Sequence, residues 1–221
     1  DAAGVDIIQQ CEVKSLTIND GKIEGVDTTL GKIVANKVCF AVAGHTTLLS
    51  KMAGFRVPIT SMALQAMVSE PIKPCLDTML SSSAIHMYVS QSDRGEIVLG
   101  GGADPYVSYA QRGNIPVVEE NVAALLEIVP AFSSLRLNRQ WAGITDITPD
   151  TTPIMGKTPV NNLYMSGGWG TGGYKAIPAG GDTMAYTIAN DSPHPLIKDF
   201  GLERFEKGSL IDEGAASGVA H

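Results

Sequence analysis

The stretch that decides the fold is Leu163-Tyr-Met-Ser-Gly-Gly-Trp-Gly-Thr-Gly-Gly-Tyr-Lys175-Ala-Ile-Pro-Ala-Gly-Gly181. Its apolar start predicts a short strand, its middle is a run of glycines, and residues 178–189 predict a helix with a proline near its first turn. Glycine has no Cβ, so such a loop lets the backbone approach a flat or anionic ligand closely. The helix start adds N–H donors and partial positive charge, and Lys175 adds a full charge. A phosphate, a carboxylate substrate or a reduced flavin would fit this arrangement.

The sequence in and after the glycine run argues against two nucleotide-binding motifs. It is not the Gly-x-x-x-x-Gly-Lys-Ser/Thr loop of nucleoside triphosphatases. No acidic residue follows about 20 positions later at a strand end, as a dinucleotide fingerprint requires. A purely structural turn therefore stays open as the alternative to a binding loop.

Upstream of the glycine run, residues 11–43 predict a meander of strands. Asn19-Asp20-Gly21 is a strong hairpin signal. The apolar run 38–44 predicts a parallel strand that is buried on both faces and ends at a ligand or a helix. Residues 45–56 predict a short helix.

The segment between residues 57 and 140 has a different pattern. Longer, half-polar strands are predicted up to residue 102, with a hairpin at residues 92–95, and residues 116–129 predict an amphipathic helix. Strands return at about 138–147 and 162–166. The fold class is therefore mixed α/β, divided into a first part (1–56), an interrupting part (57–140), a return (141–190) and a tail (191–221) that wraps the surface or a partner.

Composition sets the wider limits. A net charge of −7 without a basic cluster argues against nucleic acid. The longest apolar run is far shorter than the roughly 20 residues that cross a membrane. Three widely spaced cysteines argue against a disulfide framework or a metal site and favour a reducing, cytoplasmic location, with Cys39 as a small buried residue. The chain begins at Asp1 without an initiator Met, so we expect a fragment.

Residues 167–175 resemble the C-terminal flavin loop of the D-amino-acid-oxidase-type FAD oxidoreductases. In its specific form the loop is similar to the beta subunits of heterotetrameric sarcosine oxidases. Three further stretches carry the same resemblance, namely 141–150 with 152–159, 86–91 and 208–221. The implied fold is the C-terminal part of a FAD/NAD(P)-binding Rossmann-like domain with an inserted antiparallel-sheet substrate domain. The family's N-terminal half, with its Gly-x-Gly-x-x-Gly loop, would precede this chain.

The resemblance also implies roles for individual residues. Gly170, Gly172 and Gly173 would contact the isoalloxazine, with Gly170 and Gly173 using their backbone. Val13 would contact the adenine end of FAD. Lys175 would lie by the flavin and fix the substrate carboxylate.

A second cofactor, FMN, is implied for the whole complex. Family members hold it covalently through a histidine that would lie upstream of Asp1. The four histidines of this chain do not match that residue, so the link lies outside the chain.

Other candidates come from the residue pattern and, for Thr145, from the resemblance. His86 and Tyr88 would alternate on one strand and line the substrate pocket, although ordinary sheet-face positions are the favoured alternative. Thr145 lies at a strand end where related single-chain oxidases place an active-site aromatic, and the departure to threonine leaves its catalytic role open. Asp146 and Asp150 could form a pair of carboxylates, but a structural role in turns and helix caps is the favoured interpretation.

The implied reaction is oxidation of the N-methyl group of sarcosine, or of a similar N-methyl amino acid. Hydride passes to flavin N5, and the products are glycine, formaldehyde or methylene-tetrahydrofolate, and hydrogen peroxide. The implied partners are the alpha, gamma and delta subunits. The alternatives are a beta subunit of a related proline or dimethylglycine dehydrogenase, and a truncated, inactive domain.

Overall fold

The computed structural model describes residues 4–82 and 84–211. The strands are β1 (Val13–Asn19), β2 (Lys22–Thr28), β3 (Gly31–Val34), β4 (Val38–Phe40), β5 (Thr60–Pro71), β6 (Leu80–Ser82), β7 (Met87–Gln91), β8 (Glu96–Ala103), β9 (Leu137–Ile147), β10 (Ile154–Lys157) and β11 (Leu163–Gly167). The α-helices are α1 (Thr46–Met52), α2 (Ile115–Ile128), α3 (Gly173–Asn190) and α4 (Glu203–Lys207). Short 3-10 helices span Ala43–His45, Pro130–Ser134 and Pro195–Ile197.

The predicted meander is a three-stranded antiparallel sheet in the order β1-β2-β3. Its first turn has Asp20 at φ 47° and Gly21 at φ 72°. Two consecutive positive φ values are what a tight hairpin with right-handed twist requires. The hairpin prediction from Asn-Asp-Gly is therefore confirmed.

A second sheet brings the two ends of the predicted α/β part together. Strand β4 runs parallel to β11, and β10 is antiparallel to β11. The parallel strand is confirmed, but it covers only Val38–Phe40 of the apolar run. The prediction that Cys39 is buried is wrong, because Phe40 faces the core while Cys39 lies on the exposed, opposite face.

The third sheet is antiparallel, with the strand order β6-β7-β8-β5-β9. Strand β9 pairs with β5 up to Ile147 opposite Thr60, so the predicted boundary at residue 140 falls inside β9. One face of this sheet packs against α2, with Met67, Leu99 and Leu125 in the shared core. The other face is left free to border a cavity.

Helix α3 begins at Gly173, five residues before the predicted start. Pro178 therefore lies inside the helix, where it removes one backbone hydrogen bond. A Cβ at position 173 would lie 2.9 Å from the Cβ of Trp169, so glycine permits this close start. As a result, Lys175 belongs to the first helical turn. The last part of the predicted tail, residues 212–221, lies outside the described residues.

Candidate functional site

A cavity of about 1270 Å³ lies between the antiparallel sheet, the end of β4, the glycine loop and α3. This exceeds the roughly 300–1,000 Å³ of ordinary small-molecule pockets, so there is room for a large cofactor together with a substrate. Exposed apolar side chains border it, including Tyr174 (87% exposed) and Ile177 (62%). The cavity is therefore open to one side and predominantly apolar.

The antiparallel sheet forms the floor of this cavity. Tyr88, Gly100, Ala66 and Trp141 lie opposite one another on four adjacent strands, so their side chains share the cavity face. A Cβ at Gly100 would lie 2.7 Å from the Tyr88 hydroxyl oxygen, so glycine makes room for the tyrosine ring. Burial raises the pKa of Tyr88. The floor thus presents a neutral phenol among small and apolar residues.

His86 also borders the cavity, but not as a strand residue. It lies in the turn before β7 with φ 49°, a left-handed conformation that is uncommon for a non-glycine residue. The prediction that His86 and Tyr88 alternate along one strand is therefore wrong. The structure brings both side chains to the same cavity by a turn and a strand.

Thr145 lies at the cavity end of β9, opposite Met62. It is only 6% exposed, and its hydroxyl has no hydrogen-bond partner within the described part of the chain. A buried hydroxyl without a partner is unusual in a folded protein.

In the glycine loop, residues 168–172, the glycine N–H groups donate hydrogen bonds to acceptors within the chain. Gly168 donates to the Asp146 carboxylate, and Gly170 donates to the Asp146 carbonyl oxygen at 2.8 Å. Gly172 donates to the carbonyl of Trp169 at 3.2 Å. Gly170 borders the cavity, but its N–H is already bonded, and Gly172 does not border it.

The first turn of α3, residues 173–176, shows the opposite behaviour. The N-cap is Gly172 and no side chain caps the helix. The first N–H groups of a helix have no partner within the helix, so these donors are available to a ligand. Gly173, Tyr174 and Ala176 border the cavity.

Lys175 belongs to the same turn and is exposed. It does not border the cavity, and it forms no ion pair with the residues that the structure describes. Val13 lies at the start of β1 in the meander sheet and also lies outside the cavity lining. Of the predicted site residues, the cavity therefore unites Tyr88, His86, Thr145, Gly170 and Gly173.

Trp169 joins the loop to the helix. Its indole packs over the positions of Gly173 and Gly180 and donates a 3.0 Å hydrogen bond to the hydroxyl of Ser166. A backbone bridge pairs it with Ile147 at the end of β9. The tryptophan packs under the loop, and it also borders the cavity.

Two features near the loop escaped sequence reasoning. Asp146 is only 3% exposed and lies beneath the loop. Asp150 forms a buried ion pair with Arg204, with Oδ2 to Nε at 2.8 Å and Oδ1 to Nη2 at 3.0 Å. Burial by itself would raise the pKa of Asp150, but the hydrogen bonds from Arg204 and from the Ile211 and Thr152 amides outweigh it, so the pKa lies below its usual value. The prediction of simple turn duty is incomplete for Asp150, because the pair also fixes the C-terminal segment.

Comparisons with known proteins agree with this architecture. The model of the FAD dependent oxidoreductase family matches residues 1–187. The chain is 50% identical to the sarcosine oxidase subunit beta of Rhodobacter capsulatus over 99% of this chain and 52% of the relative. It is 51% identical to the subunit of the same name from an Arthrobacter species, over 99% and 54%. The chain thus spans about half the length of the curated relatives that it matches.

Solved structures give the same fold. An L-proline dehydrogenase from P. horikoshii superposes with a TM-score of 0.86 at 28% identity, covering 95% of this chain and 57% of that chain. A glycine oxidase from Geobacillus kaustophilus superposes with a TM-score of 0.79 at 19% identity, covering 91% and 54%; this likeness shows the fold alone.

Within residues 4–82 and 84–211, no helix has the length and apolar character that spanning a membrane requires. The parallel strand, the inserted antiparallel sheet, the glycine loop and the family match lead to one assignment: this chain belongs to the FAD-dependent oxidoreductase family of the D-amino-acid-oxidase type.

Proposed function

We propose that this chain is the C-terminal half of a FAD-dependent subunit that oxidises the N-methyl group of sarcosine or a similar N-methyl amino acid. The first turn of α3 carries the proposal, because its uncapped N–H groups lie at a cavity with room for a flavin and a small substrate. The two beta-subunit relatives, at 50% and 51% identity, supply the substrate class.

The residues present fit a flavin ring. The turn at residues 173–176 offers donors and partial positive charge to its electron-rich edge, and the apolar sheet face offers a surface for its plane. Gly173 and Gly170 allow close backbone approach. When bound, the flavin supplies the hydride acceptor that the chain itself lacks.

The chain's own residues would bind and orient the substrate. Lys175 is exposed and unpaired among the described residues, so its ammonium is free to turn towards the cavity and bind a substrate carboxylate. Tyr88 and Thr145 would contact the substrate from the floor, and His86 from the rim. Holding the N-methyl carbon in one orientation supplies much of the rate in such reactions. With O2 as the final electron acceptor and water to hydrolyse the imine, the products would be glycine, formaldehyde and hydrogen peroxide; tetrahydrofolate in place of water would give methylene-tetrahydrofolate.

The test begins with FAD. The purified chain is titrated with FAD, and binding is followed by flavin fluorescence and absorbance. The chain is then joined to the non-matching part of the Rhodobacter capsulatus subunit, and peroxide formation is measured with sarcosine. We expect the chimera to bind FAD and oxidise sarcosine, and Lys175→Ala to cripple turnover. A chimera that binds FAD but leaves sarcosine untouched would refute the substrate.

A second candidate has an observation of its own. The L-proline dehydrogenase is 28% identical and superposes over 95% of the chain, so a proline or dimethylglycine dehydrogenase subunit is the alternative. Comparing turnover of sarcosine, proline and dimethylglycine by the same chimera separates the two. If the isolated chain stays colourless with FAD while the chimera is yellow, the chain alone is an inactive domain.

We also propose a wider assembly, which the names of the same relatives support. The proposed partners are the alpha, gamma and delta subunits of a sarcosine oxidase, and the complex would carry FMN on a histidine outside this chain. The free cysteines Cys11, Cys39 and Cys75 support a reducing, cytoplasmic location.

A further inference from the structure

The glycine loop already contains an acidic group of the protein. Asp146 lies at the end of β9, is 3% exposed and borders the cavity. Its carboxylate accepts the N–H of Gly168, and its carbonyl oxygen accepts the N–H of Gly170 at 2.8 Å. Side chain and backbone of one residue therefore bind two alternate positions of the loop.

The loop has the conformation of an anion-binding nest. Gly168 has φ 74° and Gly170 has φ 55°, and such left-handed residues turn neighbouring N–H groups towards one side. The Asp146 carboxylate accepts the N–H of Gly168, and the nearby amides of Trp169 and Gly170 also favour its charged form. The group that occupies this nest is thus the aspartate itself.

We propose that Asp146 fills the anion-binding nest of the glycine loop from within the chain and fixes the loop to β9, so that the N–H groups of Gly168 and Gly170 are not available to a cavity ligand. Asp146 acts through the loop and is a positioning residue.

The charges around Asp146 agree with this role. Burial raises the pKa of Asp146, and the amides of the loop and of Asp146 itself oppose that rise. No charged side chain in the ranges 4–82 and 84–211 contributes to the shift of this pKa. A small free carboxylate is therefore a suitable probe of this site.

The test is chemical rescue. Trp141→Phe leaves Trp169 as the single tryptophan, a reporter within the loop. In this background, Asp146→Ala should change the emission of Trp169 and expose it to acrylamide quenching. Formate should restore both signals in a saturable way, whereas formamide, of the same shape without the charge, should not. The parent protein should not respond to formate, because its nest is full.

Asp104→Ala is the matched control. Asp104 is also 3% exposed, but it accepts hydrogen bonds from Gln65 and Asn114 behind the sheet. This variant should keep the Trp169 signal and should not respond to formate. An Asp146→Ala protein with the parent signal, equal rescue by formamide, or no rescue by formate would each overturn the proposal.

A second variant covers the case in which Asp146→Ala does not fold. Asp146→Ser shortens the side chain and removes the carboxylate that accepts the Gly168 N–H. Hydrogen exchange of a peptide covering residues 167–173 should become at least about tenfold faster, as expected when a buried hydrogen bond is lost. Unchanged exchange would overturn the proposal. Both tests work without flavin, so a chain that fails to bind FAD would count against the proposed function alone.

Discussion

Two regions that follow each other in the chain, the glycine loop at residues 168–172 and the first turn of α3 at residues 173–176, behave in opposite ways. The N–H groups of Gly168, Gly170 and Gly172 are bonded to the protein. The first turn of α3 has no side-chain cap and borders the cavity. Glycine content therefore shows where the backbone can approach a ligand, and tertiary contacts decide which amides remain to bind it.

The largest expected effect lies on the loop side, at Arg204. Arg204 clamps the turn between β9 and β10 through Asp150 and the carbonyl of Thr152 at 2.7 Å. Arg204→Met leaves a buried carboxylate without its partner and should lower the free energy of unfolding by about 3–5 kcal/mol. Urea denaturation measures this, with exposed Lys198→Met as a control that should stay within about 0.5 kcal/mol. A loss below 1 kcal/mol would mean that the clamp does not support the loop.

The second largest effect is expected for Gly168→Ala in the loop, compared with a glycine-to-alanine change in α3. Ala at position 168 would adopt φ 74° at a cost of about 1–2 kcal/mol. Its Cβ would also lie 2.5 Å from the methyl carbon of Thr148, which adds about 1–3 kcal/mol.

The matched control for Gly168→Ala lies in the helix. A Cβ at Gly181 meets nothing within 4 Å, so Gly181→Ala should be neutral or stabilise by up to about 1 kcal/mol. Adding Thr148→Ser, which removes the methyl but keeps the hydroxyl that binds Thr152, should recover part of the Gly168→Ala loss in thermal unfolding. No recovery would show that backbone strain, and not the contact, sets the cost.

The pH dependence of stability tests the loop region further. Asp146 and Asp150 lie four residues apart, and their pKa values shift in opposite directions. The pKa of Asp150 is lowered in the folded chain, so its stabilisation is present above the usual aspartate pKa and is lost as the pH falls through the folded value. The pKa of Asp146 is raised, so its stabilisation is present below the usual pKa and is lost as the pH rises through the folded value.

Unfolding free energies of the parent, Asp146→Asn and Asp150→Asn between about pH 3 and pH 8 test both signs. As the pH rises, the free energy of unfolding of Asp146→Asn should increase relative to that of the parent, and that of Asp150→Asn should decrease. If the free energies of unfolding of the two variants showed the same dependence on pH, the opposite pKa shifts of Asp146 and Asp150 would be contradicted.

The smallest effect on stability is expected on the helix side, at Lys175. Lys175→Met removes an exposed side chain without an ion pair among the described residues, so the melting curve should shift by no more than about 0.5 kcal/mol. In the FAD-binding chimera the same change should raise the KM for sarcosine and lower turnover. A strongly destabilised variant would reassign Lys175 from ligand binding to structure.

Local signals in the sequence were sufficient for much of the architecture. Asn19-Asp20-Gly21 predicted its hairpin, and helix α2 and strand β9 lie within about one residue of their predicted bounds. The hairpin and α2 depend on contacts between near neighbours, whereas β9 pairs with the distant strand β5 and was predicted from its residue pattern alone. The start of α3 was predicted five residues too late, because proline is typical of a first helical turn and Pro178 therefore indicated a helix start. The turn at His86 was predicted as strand, because the alternation of His86 and Tyr88 is typical of a strand.

By itself the sequence determined the family, the mixed α/β class and the glycine run beside a helix, because residue types and short spacings carry that information. Only the tertiary structure decided that Asp146 fills the glycine loop from 22 residues away and that Arg204 pairs with Asp150 across 54 residues. It also decided that Cys39 borders the cavity and that Lys175 lies outside the cavity lining. The physical reason is that hydrogen bonds and ion pairs between distant segments depend on how the sheets pack, and no local pattern encodes that packing.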